Sequence, residues 1–193
     1  MIKWRPLKHR KCARLYGIDV PAWYRTRSLN WIHNLSALKK ANNIGVCDFD
    51  DTLCEYDEED LGKINFKEPT VNFLKTQFSN KHIDALLIIT NQKTLKCGNK
   101  QKLKRELIFN KIQKCVVDFK ITNDEHEELP IAWLICTNLL KPRVDRDLRA
   151  LAFKFKFMIG DADGSERAYK QSNFDRQFAI ACNTNFISVF NLI

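Results

Sequence analysis

Asp48 and Asp50 stand two residues apart where a short apolar run, Ile44-Gly45-Val46-Cys47, gives way to Phe49, Asp51, Thr52 and Leu53. Four apolar or small residues in succession suit a strand buried on both faces. Carboxylates cannot extend such a strand into a core, so they belong at its carboxyl end, where open α/β sheets hold ligands. Strand alternation aims Asp48 and Asp50 the same way. Crowded carboxylates repel one another unless a cation or a shared proton neutralises them, and a divalent metal does this most simply. The plainer alternative is a polar junction in which Asp51 and Thr52 start a turn or cap a helix.

Three later stretches tip the balance. Ala85–Ile89 ends in Thr90-Asn91-Gln92. Ile131–Cys136 leads through Thr137-Asn138 to Lys141-Pro142, and Phe153–Ile159 ends in Gly160-Asp161-Ala162-Asp163-Gly164. Carboxylates for a metal, a nucleophile, an acid for proton transfer and donors for an anion together suit phosphoryl transfer. A carboxylate nucleophile would give an aspartyl-phosphate that water hydrolyses. Mg²⁺, a hard cation held by one or two carboxylates and phosphate oxygen, is the ion this set prefers.

Such residues converge only if strands and helices alternate. Pro69 and Thr70 open a helix with Val71, Leu74 and Phe78 on one face. Residues 99–114 form an amphipathic helix, another starts near Pro142 with Leu148 and Leu151, and a last one covers Asp175–Cys182 before a strand at Phe186–Phe190. This alternation predicts an α/β fold with a mostly parallel central sheet and helices on both faces. Residues 54–69, acidic and irregular, read as a solvated loop or a flap over the site.

Residues 1–43 hold ten Lys or Arg against a single acid, Asp19, so the formal net charge of +9 belongs to this segment. Its Trp4, Tyr16, Trp23, Tyr24 and Trp31 either stack on bases beside a phosphate backbone or anchor the segment to the domain. Leu29, Ile32, Leu35 and Leu38 recur every three residues, which predicts a helix across Ser28–Ala41. Seven cysteines at irregular spacings form no disulfide framework, and Cys47, Cys115, Cys136 and Cys182 read as small core residues of a protein in a reducing compartment. There is no apolar run near the roughly 20 residues that span a bilayer and no secretory signal at Met1, so the expected location is intracellular, cytoplasm or nucleus. G-x-x-x-x-G-K-[ST] and G-x-G-x-x-G are absent, and His9, His33, His82 and His126 lack metal-ligand spacing.

Asp48-x-Asp50-x-Thr52, Thr90, Lys141 and Gly160-Asp161, in that order, resemble the four motifs of the haloacid dehalogenase-like phosphohydrolases across residues 44–163. The resemblance implies a Rossmann-like fold with a minimal cap over residues 44–193, preceded by the basic extension 1–43. It makes Asp48 the nucleophile and Asp50 the general acid/base, whose backbone carbonyl also touches Mg²⁺. Thr90 and Lys141 would bind the transferring phosphoryl group and Asp161 would complete the metal site, with Asp163 or Glu166 as a second acid. Thr52 would shape the loop and, with Asn91 and Gln92, bind the substrate.

Thr90-Asn91-Gln92, Lys141-Pro142, Gly160-Asp161-Ala162-x-Gly164 and Ser172-x-x-Asp175-Arg176-x-Phe178-Ala179 are similar, more narrowly, to the polynucleotide kinase 3′-phosphatase domain. That likeness implies removal of a 3′-phosphate from a nucleic-acid end, DNA first, as in strand-break repair, by a phosphatase without a kinase half. Three features depart from the family: Asp51 stands where it usually has Gly, Cys97-Gly98-Asn99-Lys100 replaces a richer glycine stretch, and Leu140 replaces Arg. The competing expectations are a histidinol-phosphate or sugar-phosphate phosphatase, and a protein phosphatase of the polymerase-tail type, which Asp51 favours. The first of these often carries a Cys/His zinc loop, whereas residues 93–140 offer only scattered Cys97, Cys115, Cys136 and His126, so no zinc is expected.

Overall fold

The structure is a computed structural model and describes residues 2–6, 30–92, 102–136, 146–168 and 172–192. Lys141, Thr137, Asn138, Trp23, Tyr16, Tyr24 and Cys97 lie outside the described residues.

Seven strands form one sheet: β1 (Trp4–Pro6), β2 (Asn30–His33), β3 (Ile44–Asp48), β4 (Ala85–Asn91), β5 (Ile131–Cys136), β6 (Phe155–Gly160) and β7 (Asn185–Ser188). Their spatial order is β1-β2-β5-β4-β3-β6-β7. From β5 to β7 every pairing is parallel, while β2 runs antiparallel to β5 and β1 antiparallel to β2. The helices are α1 (Leu35–Lys40), α2 (Glu68–Ser79), α3 (Lys102–Asp118), α4 (Arg146–Ala152) and α5 (Phe174–Ala181). The protein is therefore α/β with a mostly parallel sheet flanked by helices, as the alternation of apolar runs predicts.

Both faces of the sheet are covered, which is why β3 and β4 read as unbroken apolar runs. Cys47 packs on one side with Leu74 of α2 and Ile108, Ile112 and Cys115 of α3. Val46, its neighbour in β3, packs on the other with Leu38 of α1, Leu148 of α4 and Phe178 of α5. The chain steps from β3 outward through β4 to β5, then returns to lay β6 and β7 on the other side of β3. The sheet thus has its switch point between β3 and β6, where the carboxyl ends of parallel strands leave a crevice.

The predicted helix across Ser28–Ala41 is corrected. Asn30–His33 is a strand registered on Trp133–Cys136, and only Leu35–Lys40 is helical. Trp31 is fully buried, with Ile32 beside it, and pairing with the open edge of β5 stabilises this stretch more than a helical stripe would. Trp4 is buried as well, so these two tryptophans anchor the first segment to the sheet. The described part of residues 1–43 is accordingly continuous with the sheet of residues 44–193. The fourth apolar run starts later than its sequence suggests, because Phe153 is an exposed turn residue and β6 begins at Phe155. Among the described residues no helix is long and apolar enough to cross a membrane.

Candidate active site

Asp48 is the last residue of β3 and Asp161 follows β6 directly, so adjacent parallel strands deliver the two carboxylates to the same crevice. Asp48 is only 4% exposed. After Asp48 the backbone stays tied to β4 for one residue, with Phe49 N donating to Ile89 O at 3.0 Å, and then turns. Leu53 N and Cys54 N both return to Phe49 O, at 3.0 and 2.9 Å, while Asp51 N donates to Cys54 O at 2.8 Å. This tight reversal carries Asp51 through a left-handed φ of 56°. Left-handed backbone favours glycine and tolerates Asp and Asn better than most residues. A glycine preference at this place and an Asp in this chain therefore answer the same backbone demand.

Thr52, fully buried, comes out of the turn between the two acids. Its Oγ1 lies 3.3 Å from Asp48 Oδ2 and 3.4 Å from Asp161 Oδ1. One hydroxyl hydrogen serves one acceptor at a time, so Thr52 relieves only part of the repulsion between the carboxylates. A third acid joins them. One carboxylate oxygen from each of Asp48, Asp161 and Asp175 lies within 4.8 Å of the others. Asp175 is completely buried on α5, and its Oδ2 accepts the Ala162 backbone N–H at 3.1 Å. Gly160 makes room for it, since a Cβ at that position would run into the Asp175 carboxyl. Three hard oxygen donors gathered in a buried crevice match what a small divalent cation requires.

Asp50 takes a separate place. Its Oδ2 accepts Gln92 Nε2 at 2.7 Å and Thr90 Oγ1 at 3.2 Å, and Gln92 Nε2 is also 2.7 Å from Thr90 Oγ1. Thr90 and Gln92, both buried, are carried at the end of β4 and fix the carboxylate from the side away from β6. Asp48 and Asp50, aimed alike by strand alternation, are thus divided. Asp48 belongs to the acid cluster, whereas the Asp50 side chain is held in an amide and hydroxyl clasp. The Asn91 side-chain oxygen is buried nearby and has no hydrogen-bond partner among the described residues.

Of the acids expected to complete the fourth motif, neither Asp163 nor Glu166 enters the cluster. Ser165 N donates to Asp163 Oδ1 at 2.8 Å and Ser188 Oγ to its Oδ2 at 2.6 Å. Partial burial pushes the Asp163 carboxyl up, but these bonds and the nearby Arg167 charge outweigh it and hold it below the usual carboxylate value. Glu166 is exposed. The acid that does join is Asp175, and its signal was present in the sequence. Asp175, Phe178, Ala179 and Cys182 recur at helical spacing, so the carboxylate sits on the apolar stripe that α5 turns to the core. An acid on such a stripe requires a partner.

No protein-family model matches the chain, and no curated protein matches it.

Proposed function

We propose that the chain is a Mg²⁺-dependent phosphatase of the haloacid dehalogenase-like kind, acting on the 3′-phosphate of nucleic-acid ends, with DNA the first candidate. The observation that carries the phosphatase reading is the cluster of Asp48, Asp161 and Asp175 at the switch point, with Asp50 held separately by Thr90 and Gln92. The choice of a 3′-nucleotide end rests on the likeness of Thr90-Asn91-Gln92 and of the stretch from Ser172 to Ala179, together with the basic charge of residues 1–43. Residues 49–67, between β3 and α2, contain no helix or strand beyond isolated bridges, which fits a minimal cap that leaves the crevice open to a polymer end.

In this scheme Asp48 attacks phosphorus and the bond to the leaving 3′-oxygen breaks, giving an aspartyl-phosphate. Asp50, oriented by Gln92 and Thr90, gives its proton to the departing oxygen and takes one back from the water that hydrolyses the intermediate. Mg²⁺, when bound by Asp48, Asp161 and Asp175, supplies positive charge against the phosphoryl oxygens. Thr52 keeps two of these carboxylates in register, and Lys141 is the cation the resemblance implies for the phosphoryl group.

The test offers the purified chain, with Mg²⁺, a 3′-phosphorylated oligonucleotide, a 5′-phosphorylated one, histidinol phosphate and a phosphoserine peptide. Phosphate release is expected from the first, and Asp48→Asn should abolish it. Release from histidinol phosphate or the peptide alone would replace the nucleic-acid reading with one of its competitors.

A further inference from the structure

A cleft of about 670 Å³ opens between the loop after β6, the exposed side of α5 and the end of β7. Its volume falls within the range of about 300–1,000 Å³ typical of small-ligand sites. Asn173, Arg176, Gln177, Ile180, Phe186 and Asn191 line it. Helix α5 joins the cleft to the acid cluster, because its buried side sends Asp175 to that cluster while its outer side lines the cleft.

The lining has the character of a nucleotide site. Asn173, Gln177 and Asn191 make no side-chain hydrogen bond with a described residue, and amide side chains read the edges of bases. Arg176 is exposed and forms no ion pair with a described residue, which suits a phosphodiester. Ile180, 71% exposed, and half-buried Phe186 give a base an apolar surface to lie on. The cleft's one acid, Asp163, already has a hydrogen-bond donor on each oxygen.

Charge on the opposite side of the sheet narrows the path further. The loop bearing Glu55, Asp57, Glu58, Glu59 and Asp60 packs through Cys54 and Phe66 on the face covered by α2 and α3. Helix α5 packs on the other face. A polyanion leaving the crevice past the acidic loop would be repelled, and one leaving across α5 meets Arg176 and the three amides.

We propose that this cleft holds the terminal nucleotides of a single nucleic-acid strand whose 3′ end lies at Asp48, with Arg176 on a phosphodiester and the amides on base edges. The proposal rests on the nucleic-acid reading above. Its test measures binding of a labelled single strand ending in a 3′-hydroxyl to the full chain by fluorescence anisotropy, across a salt series, for wild type, Arg176→Ala and Gln177→Ala. The ratio of kcat/KM for a 3′-phosphorylated oligonucleotide to that for p-nitrophenyl phosphate is measured alongside. Arg176→Ala should weaken strand binding about tenfold and reduce the slope of log affinity against log salt by about one. Gln177→Ala should lower the preference for the oligonucleotide and leave the salt slope as it was. Binding and preference equal to wild type in both variants would overturn the cleft assignment, whatever the activity. Arg176-dependent strand binding without phosphate release from the oligonucleotide would support the cleft and overturn the proposed reaction instead.

Discussion

Replacing Asp175 with Asn separates membership of the cation site from a purely structural role. Asn keeps the shape and an oxygen that can accept the Ala162 N–H, but it removes one charge from the three acids. At the 4.8 Å limit of their separation, an effective dielectric of about 20 gives a repulsion of about 3.5 kcal/mol for one pair. Exchanging a charged acceptor for a neutral one at the Ala162 N–H loses about 1–1.5 kcal/mol of this. In chelator the variant should therefore be about 2 kcal/mol more stable than wild type, roughly 4–8 °C in thermal midpoint for a chain of this size. With Mg²⁺ most or all of that difference disappears. At a concentration of 100 times the wild-type dissociation constant, the ion stabilises wild type by about 2.7 kcal/mol. Removing a ligand should weaken binding at least as much as the 10–100-fold found for outer-shell partners, which cuts the gain to about 0.4–1.4 kcal/mol. Thermal melts with EDTA and with graded Mg²⁺ read both effects. A variant that melts lower than wild type in EDTA and gains as much from Mg²⁺ would refute the placement of Asp175 in the site, leaving it a tether for Ala162.

Gly160→Ala should be destabilising by about 1–3 kcal/mol and should also weaken the Mg²⁺-dependent rise in melting temperature, because the new methyl group drives into the Asp175 carboxyl; equal responses to Mg²⁺ would contradict that contact. Asp51→Gly relaxes a left-handed residue but loses the 3.1 Å bond from Tyr56 N to Asp51 Oδ1, so the two effects nearly cancel and the change should stay within about 1 kcal/mol by urea unfolding. Ser188→Ala removes a donor to Asp163, whose carboxyl is held below its ordinary value of 3.8. Such a group stabilises the fold above its unfolded pKa and loses that contribution as pH falls through the folded one. The variant should therefore trail wild type by about 1 kcal/mol near neutral pH and converge with it in acid unfolding below 3.8; a constant gap down the pH scale would show that Ser188 acts through packing.

The strands β3, β4 and β5 were legible because each is buried on both faces, so an apolar run could be nothing else at that length. The order of their polar ends was equally legible, since a parallel sheet sends every carboxyl end to one edge. The stretch Asn30–His33 was not, because leucines every third residue fit a helix while the strand draws its stability from β5, a hundred residues away in sequence. Local pattern carries no information about an open sheet edge. The site divided along the same line. Asp48 and Asp161 terminate strands and announce themselves, whereas Asp175 sits inside a helix and becomes part of the cluster only when α5 packs behind β6. Asp163 and Glu166 are nearer to Asp161 in sequence, but the backbone of Ser165 and the hydroxyl of Ser188 occupy both oxygens of Asp163, and Glu166 is exposed.

The turn that carries Asp50 needs outside support, since it contains a left-handed residue and opens into an acidic loop. Helix α2 supplies much of it. Thr70 Oγ1 donates to Thr52 O at 2.7 Å, Lys67 N to Leu53 O at 2.9 Å, and the Lys67 ammonium to Asp51 O. Helix α3 adds buried Lys111, whose Nζ donates to Glu55 O at 3.0 Å and lies over the Phe49 ring. The Cys54 thiol is drawn into the same anchor. The neighbouring Cys115 thiol holds it below its ordinary value against the effect of burial, with the Asn65 backbone and the Lys111 charge assisting. Two lysines are thus committed to backbone carbonyls of the turn instead of to the acids around it. That arrangement keeps two cationic side chains beside the turn that carries Asp50 and uses them to hold its backbone in place.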